Sequence, residues 1–179
     1  MIAPAGVDAA YSAYWRISLD KPLEVLVGEI LLQHELWLAT AESCTGGLIS
    51  HLITNVAGSS AYYLGGVTAY ANETKVRLLG VNPETLELHG AVSEQTVLEM
   101  ARGIRYTLAA DIGLSVSGIA GPAGGTPEKP VGTVWIGLSA ASEKIARHYL
   151  WSGSRSLIKE QAAQAGLQLL LEHLQKVYK

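Results

Sequence analysis

The 179-residue chain contains one cysteine and no phenylalanine. A single cysteine, Cys44, excludes an internal disulfide, a four-cysteine zinc site and a C-x-x-C redox pair. The five histidines show neither H-x-x-x-H nor H-E-x-x-H spacing, which are the patterns that place two imidazoles on one metal ion. We therefore expect neither a metal site nor an organic cofactor.

Charge is also scarce, because only 16% of the residues are charged and the formal net charge is −3. A basic surface of the kind that attracts nucleic acid is therefore not expected. The long uncharged stretch 43–72 is interrupted by glycines and polar residues, which argues against a membrane-spanning helix. The N-terminus lacks the pattern of a signal peptide, so we expect a cytoplasmic protein.

Hydrophobic residues, at 49% of the chain, suffice for one folded core. Their spacing predicts alternating helices and strands with a late hairpin, which is typical of a three-layer α/β/α sandwich around a mixed sheet. We expect an N-terminal extension over 1–20 and a single domain over 21–179. The predicted strands are 36–41, 64–70, 112–117, 133–140 and 145–151, and the longer predicted helices are 22–34, 94–109 and 154–177.

Ser43 lies in the tight turn between the first predicted strand and a helix that begins near Gly46. At such a turn the free N–H groups of the helix can hold a phosphate or a developing oxyanion. Gly46 and Gly47 permit a ligand to approach the backbone closely. The alternative is structural, with Ser43 or Thr45 as the N-cap of the helix.

Lys75 is the candidate base for a serine nucleophile, since none of the histidines lies in an obvious catalytic setting. It follows the predicted second strand, on a short helix that Asn72 is expected to cap. Burial beside apolar groups would lower the pKa of the lysine and make it a base. A solvated surface lysine is the alternative.

The predicted loop 118–132 is rich in glycine and proline but matches neither the phosphate-binding loop nor the dinucleotide fingerprint. Lys129, within this loop, and Arg155, at the start of the final helix, are the cations nearest to the glycine-rich turns. Arg155 is the better phosphate ligand of the two, because its planar guanidinium grips two oxygens at once.

Four motif blocks resemble the CinA C-terminal family, the nicotinamide mononucleotide amidohydrolases also called PncC. The resemblance covers about residues 22–175 and is to the stand-alone form of the family. The blocks are AESCTGG at 41–47, GGVTAYANETK at 65–75, HGAVSE at 89–94, and SGIAGPAGG with KPVGTV between 117 and 134.

The resemblance implies an α/β/α sandwich that hydrolyses the carboxamide of nicotinamide mononucleotide to nicotinate mononucleotide and ammonia, without a cofactor. It implies Ser43 as the nucleophile, Lys75 as its base and Tyr70 as a supporting hydroxyl. The N–H groups around Thr45, Gly46 and Gly47 would then stabilise the oxyanion. The residues implied to hold the substrate are Asn72, Ser117, Gly121 and Arg155, the last at its phosphate.

The sequence departs from the family pattern at three places: Ala71 replaces a frequent serine or threonine, Ser154 an aspartate and Lys159 an arginine. A non-catalytic nucleotide-binding or regulatory module is the alternative function, and an amidase acting on a carboxamide without a phosphate is a second. The leucines at 167–174 are compatible with a homodimer.

Overall fold

The computed structural model describes residues 21–178, so the extension predicted at 1–20 lies outside the described residues. Five strands and six helices follow one another along this part of the chain. They are α1 (Leu23–Gln33), β1 (Leu38–Glu42), α2 (Leu48–Thr54), β2 (Tyr63–Thr68), α3 (Asn72–Leu79), α4 (Pro83–His89), α5 (Glu94–Thr107), β3 (Ile112–Gly118), β4 (Thr133–Ser139), β5 (Lys144–Leu150) and α6 (Arg155–Val177).

The five strands form one mixed sheet in the order β2-β1-β3-β4-β5. Strands β1, β2 and β3 are parallel, whereas β4 pairs with both β3 and β5 in antiparallel fashion. The mixed α/β architecture predicted from the alternating pattern is therefore confirmed. Because β1, β2 and β3 run in the same direction, the residues that follow them lie at one edge of the sheet.

Side chains alternate between the two faces of the sheet, as strand geometry requires. On one face, apolar residues of β1, β3 and β4 such as Leu38, Leu114 and Ile136 pack against α1, α2 and α6 in the larger core. On the other face, Ala39 and Ala41 of β1 join a smaller core with residues of α3 and α5. Both faces of the central strands are thus covered by helices.

The face beneath α5 carries small residues, which let the helix approach the sheet closely. A Cβ on Gly113 or Gly137 would lie within 3 Å of α5 backbone oxygens, at 2.1 Å from Ala101 and 2.6 Å from Val97. Between them, the hydroxyl of Ser115 donates to the Val97 carbonyl at 2.6 Å. These positions fix the distance between α5 and the sheet, and with it the position of α3, which packs on α5.

Several boundaries differ from the sequence prediction. Strand β2 ends at Thr68, so Ala69 and Tyr70 lie in the connection to α3 instead of in the predicted strand. Asn72 is the first residue of α3 and does not cap it, because the N-cap position belongs to Ala71 and no side chain bonds there. Asn82 and Ser93 cap the next two helices, α4 and α5, since each side chain accepts from a helix N–H.

The leucines of α6 that suggested a homodimer are buried within the chain. Leu167, Leu170, Leu171 and Leu174 belong to the larger core, so they do not themselves provide a surface for a second copy. A homodimer stays a prediction. Among residues 21–178, no helix is both long enough and apolar enough to cross a membrane.

We expect Gly103→Ala to destabilise the protein although alanine favours helix. A Cβ there would lie 1.8 Å from the carbonyl oxygen of Leu79, at the end of α3, and backbone cannot move aside cheaply. The expected loss in the free energy of unfolding is about 2 kcal/mol, typical of overpacking, measured by urea denaturation.

The matched control is Gly166→Ala in α6, where the nearest obstacle is the end of the Ile49 side chain at 3.1 Å. This substitution should change stability by less than about 1 kcal/mol, because a flexible side chain can adjust. Equal effects of the two substitutions would contradict our account of the contact between α3 and α5.

Candidate active site

A pocket of about 200 Å³ opens at the edge of the sheet where β1, β2 and β3 end. A residue at or just after the end of each strand lines the pocket. Ser43 directly follows β1, Tyr70 lies two residues after β2, and Gly118 is the last residue of β3. The pocket therefore occupies the position at which parallel α/β sheets usually bind ligands. Its lining residues are Ser43, Cys44, Tyr70, Asn72, Lys75, Ala91, Val92, Ser117, Gly118, Ala120 and Arg155.

Ser43 is held at the start of a tight turn between β1 and α2. Its N–H donates to the carbonyl of Val116 in β3 at 2.9 Å, which ties the turn to the sheet. Gly46 and Gly47 have φ values of 64° and 97°, a backbone conformation that side chains with a Cβ rarely adopt. The glycines are thus required by the turn itself.

Neither Ser43 nor Thr45 caps α2, so the structural alternative for these residues is wrong. The N-cap position is Gly47, and the helix N–H groups are satisfied by the carboxylate of Glu42. That carboxylate accepts from the N–H of Gly47 at 2.9 Å, Ile49 at 3.1 Å and Ser50 at 2.8 Å, and from the Ser50 hydroxyl at 2.7 Å.

Glu42 is the functional-site residue that the sequence prediction missed. Its side chain is buried, with 1% exposed, and its negative charge lies at the positive end of α2. The signal in the sequence is a carboxylate at the end of an otherwise apolar strand, five residues before the N-cap glycine. Capping residues normally lie within the first turn, so this spacing points to Glu42 only once the turn geometry is known.

Lys75 is buried, with 1% of its surface exposed, so the surface-lysine alternative is wrong. Its Nζ lies 3.2 Å from Ser43 Oγ, 2.9 Å from the Ala69 carbonyl and 3.2 Å from the Tyr70 carbonyl. Burial lowers the pKa of this amine, because the charged form loses its hydration. The carboxylate of Glu73 has a smaller, opposing effect on the same pKa.

Lys75 Nζ donates to all three neighbours when it carries three hydrogens, and the same three positions suit a neutral amine that acts as a base. A neutral amine has two N–H donors and one lone pair. When the Ala69 and Tyr70 carbonyls accept its two hydrogens, the lone pair is left for the Ser43 hydroxyl. The connection between β2 and α3 thus orients the base toward the candidate nucleophile.

Cys44 also lines the pocket, but its thiol is poorly suited to be the nucleophile. Burial raises the pKa of the Cys44 thiol to about 12, so the thiolate is scarce near neutral pH. Its neighbour Ser43 is hydrogen-bonded to Lys75 Nζ, whereas Cys44 has no hydrogen bond to that amine within residues 21–178. The geometry therefore favours the hydroxyl over the thiol.

Tyr70 and Arg155 meet at the mouth of the pocket. The Tyr70 side chain is 60% exposed, and its hydroxyl accepts a hydrogen bond from Arg155 Nη2 at 2.9 Å. The Nη1 group of Arg155 donates to the Gly121 carbonyl at 2.8 Å. These contacts hold the guanidinium between the β2–α3 connection and the loop that follows β3.

The other residues implied by the resemblance lie around this centre in different ways. Asn72 and Ser117 line the pocket, and the Ser117 hydroxyl donates to the Ala91 carbonyl at 2.7 Å. Thr45 is buried beneath the turn, while the N–H groups of Gly46 and Gly47 already bond to the Ser43 carbonyl and the Glu42 carboxylate.

Lys129, the other candidate cation, is not among the residues that line the pocket. Its Nζ donates to the carbonyls of His89 at 2.6 Å and Val92 at 2.8 Å. It therefore joins the loop after β3 to the segment between α4 and α5. Residues 21–178 contain no group of three or more histidine, cysteine or acidic side chains arranged to hold a metal ion.

The CinA C-terminal domain model matches residues 20–174, which is most of the chain. The chain belongs to this family. A CinA-like protein of Salinibacter ruber is 50% identical over 149 residues, covering 83% of this chain and 36% of the relative. The chain spans less than half of the length of this and other curated relatives it matches.

Solved structures of CinA family members have the same fold. A competence-damaged protein (CinA) superfamily protein from Klebsiella pneumoniae matches with a TM-score of 0.83 at 36% identity, over 86% of this chain and 96% of that one. A competence/damage inducible protein from Agrobacterium tumefaciens matches with a TM-score of 0.80 at 39% identity, over 87% and 98% of the two chains. The family resemblance and the fold it implied are confirmed.

We expect Glu42→Gln to destabilise the protein and to slow any reaction at Ser43. An amide keeps one acceptor oxygen but turns an NH2 group toward buried N–H donors, and it removes the charge at the positive end of α2. The expected loss in the free energy of unfolding is about 3 kcal/mol, measured by thermal and urea denaturation.

Thr40→Val is the matched control, because the Thr40 hydroxyl contacts Ser50 and Tyr63 but not Glu42. It should cost about 1 kcal/mol, the usual effect of one buried hydroxyl. A Glu42→Gln protein as stable as the parent would show that the carboxylate does not hold the turn.

Proposed function

We propose that this chain is a nicotinamide-nucleotide amidase that hydrolyses nicotinamide mononucleotide to nicotinate mononucleotide and ammonia, with Ser43 as nucleophile and Lys75 as base. The contact that carries the proposal is the 3.2 Å approach of the buried Lys75 amine to the Ser43 hydroxyl. A serine hydroxyl is a weak nucleophile until an adjacent base takes its proton. Lys75 supplies such a base without a histidine.

The reaction would run in two steps through an acyl-enzyme. Ser43 Oγ attacks the amide carbon while its proton moves to Lys75, and the C–N bond then breaks as the nitrogen leaves with a returned proton. Water hydrolyses the resulting ester, with Lys75 again as base. In the overall reaction, one amide and one water give one carboxylic acid and one ammonia.

The oxyanion that forms during attack needs hydrogen-bond donors close to Ser43. Since the N–H groups of Gly46 and Gly47 already have acceptors, the backbone amides of Cys44 and Thr45 are the remaining candidate donors in the same turn. The glycines would then act through the shape of the turn. This arrangement revises the oxyanion role that the family resemblance implies for residues 45–47: Thr45 keeps it, Gly46 and Gly47 lose it, and Cys44 is added.

The lining of the pocket supports a nucleotide carboxamide as substrate. Ala91, Val92 and Ala120 contribute apolar groups to the lining, which suit an aromatic ring, while Ser43 and Lys75 line the same pocket. The Arg155 guanidinium at the mouth suits a phosphate, which it can bind through two oxygens. Membership of the CinA C-terminal domain family supports the same assignment.

We expect the purified chain to release ammonia and nicotinate mononucleotide from nicotinamide mononucleotide, and Ser43→Ala to release neither. Loss of the nucleophile should lower kcat by a factor on the order of 10⁴ or more. Both products are measured in the same reaction, by an ammonia assay and by chromatography.

Circular dichroism and thermal denaturation of both proteins provide the control for folding. A folded Ser43→Ala protein that keeps turnover would rule out Ser43 as the nucleophile. A folded parent chain that binds the nucleotide but releases no ammonia would instead support the non-catalytic binding module.

We expect kcat/KM to rise with pH until Lys75 has lost its proton. The neutral amine is the active form, so activity falls as the pH drops through the pKa of Lys75. Since burial lowers that pKa, the rise should be centred below the usual range of lysine. The measurement is kcat/KM against pH for the parent chain.

Lys75→Met supplies the comparison, because it keeps the length and apolar stem of the side chain without the amine. It should lower kcat by about a thousandfold and remove the rise with pH. A Lys75→Met protein with the parental pH profile would assign the titration to another group.

A further inference from the structure

Tyr70 connects the pocket mouth to the buried base. Its hydroxyl accepts from Arg155 Nη2 at 2.9 Å, and its backbone carbonyl accepts from Lys75 Nζ at 3.2 Å. Lys75 Nζ in turn lies 3.2 Å from Ser43 Oγ. A continuous series of contacts therefore runs from a guanidinium at the surface to the hydroxyl that would attack the substrate.

Arg155 is placed to bind an anion at this mouth. It is the first residue of α6, where the positive end of a 23-residue helix adds to its charge. Lys159 follows one turn later, with its Nζ 3.7 Å from the position that a Cβ on Gly46 would take. The guanidinium has five N–H donors, of which the Gly121 carbonyl and the Tyr70 hydroxyl each accept one.

The hydroxyl of Tyr70 is the contact that an anion would replace most easily. A phosphate carries negative charge and forms charge-assisted bonds to arginine that are about twice as strong as those of a neutral hydroxyl. The Tyr70 side chain is 60% exposed, so little packing opposes its rotation. Among the described residues, its hydroxyl is hydrogen-bonded to Arg155 and to neither Ser43 nor Lys75, although Tyr70 lines their pocket.

We propose that a substrate phosphate bound by Arg155 displaces the Tyr70 hydroxyl into the pocket, so that the phosphate increases the rate of the chemical step as well as binding. This inference rests on the proposed amidase function. Arg155 and Tyr70 would then determine specificity by giving nucleotides a higher kcat than nucleosides. Binding energy from a remote part of the substrate raises kcat only when it lowers the barrier of the chemical step and does not merely stabilise the bound substrate.

The displaced hydroxyl has a defined task in acylation. The Ser43 proton moves to Lys75 as the Oγ–C bond forms. The C–N bond then breaks, the leaving nitrogen takes the Tyr70 hydroxyl proton, and the phenolate regains a proton from the Lys75 ammonium. Ammonia and the acyl-enzyme result, with Tyr70 again protonated and Lys75 again neutral.

The test compares nicotinamide mononucleotide with nicotinamide riboside, which lacks the phosphate, as substrates of the same enzyme. In the parent chain we expect kcat for the nucleotide to exceed kcat for the riboside by at least about tenfold, the size of a typical coupling between sites. Inorganic phosphate added with the riboside should raise its kcat in a saturable way. Tyr70→Phe and Arg155→Ala should each remove both effects.

The variant that combines Tyr70→Phe with Arg155→Ala should have the same ratio of kcat values for the two substrates as either single variant, because both residues act through one coupling. Arg147→Ala is the matched control: it removes an arginine whose partner is Glu172, remote from the pocket lining, and should keep the parental kcat ratio. Two results would overturn the inference. In one, Arg155→Ala raises KM for the nucleotide without changing kcat; in the other, Tyr70→Phe lowers kcat for both substrates equally.

A second measurement does not depend on the identity of the substrate. A small sulfonyl fluoride labels a reactive serine by forming an O–S bond as the S–F bond breaks, with the serine proton passing to Lys75. The displaced Tyr70 hydroxyl would assist this step by donating a hydrogen bond to the departing fluoride, as it does to the leaving nitrogen of the amide, and mass spectrometry gives the rate at Ser43. Inorganic phosphate should accelerate this labelling several-fold in the parent chain and not in Tyr70→Phe. Labelling that phosphate leaves unchanged would refute the coupling, whereas phosphate-accelerated labelling without nucleotide hydrolysis would refute only the proposed substrate.

Discussion

The site depends on a lysine amine that is held out of water beside a serine. A buried amine is unfavourable when charged, so its position has to be fixed by the surrounding backbone. The Ala69 and Tyr70 carbonyls provide that support. They are free to do so because β2 ends at Thr68, two residues before the end of the predicted strand. The close contact between α3 and α5, at Gly103, then keeps the helix carrying Lys75 against the sheet.

The turn that carries Ser43 is supported by a buried carboxylate, that of Glu42. The Glu42 carboxylate takes the N–H groups that would otherwise make the start of α2 an anion site. This leaves the turn rigid and directs any stabilisation of an oxyanion to the amides nearest Ser43. One buried carboxylate thus shapes the turn, and one buried amine contacts the serine in it.

Much of this was accessible from the order of residues. Alternation of apolar segments predicts the mixed sheet, and Gly46-Gly47 predicts the turn, because these patterns reflect local backbone geometry. The four motif blocks predict the family. The positions of Ser43 at a strand end and of Arg155 at a helix start also follow from local signals.

Other properties were decided by contacts between segments distant in the sequence. Whether Lys75 is buried or solvated depends on α5 and β1, which local patterns around residue 75 do not describe. The capping role of Glu42 depends on how the chain folds back over five residues, and the exchange of Tyr70 between mouth and pocket depends on Arg155, 85 positions later. The sequence by itself determined the elements and the family; the tertiary structure decided the charge environment, because desolvation and hydrogen bonding are set by what packs around a group.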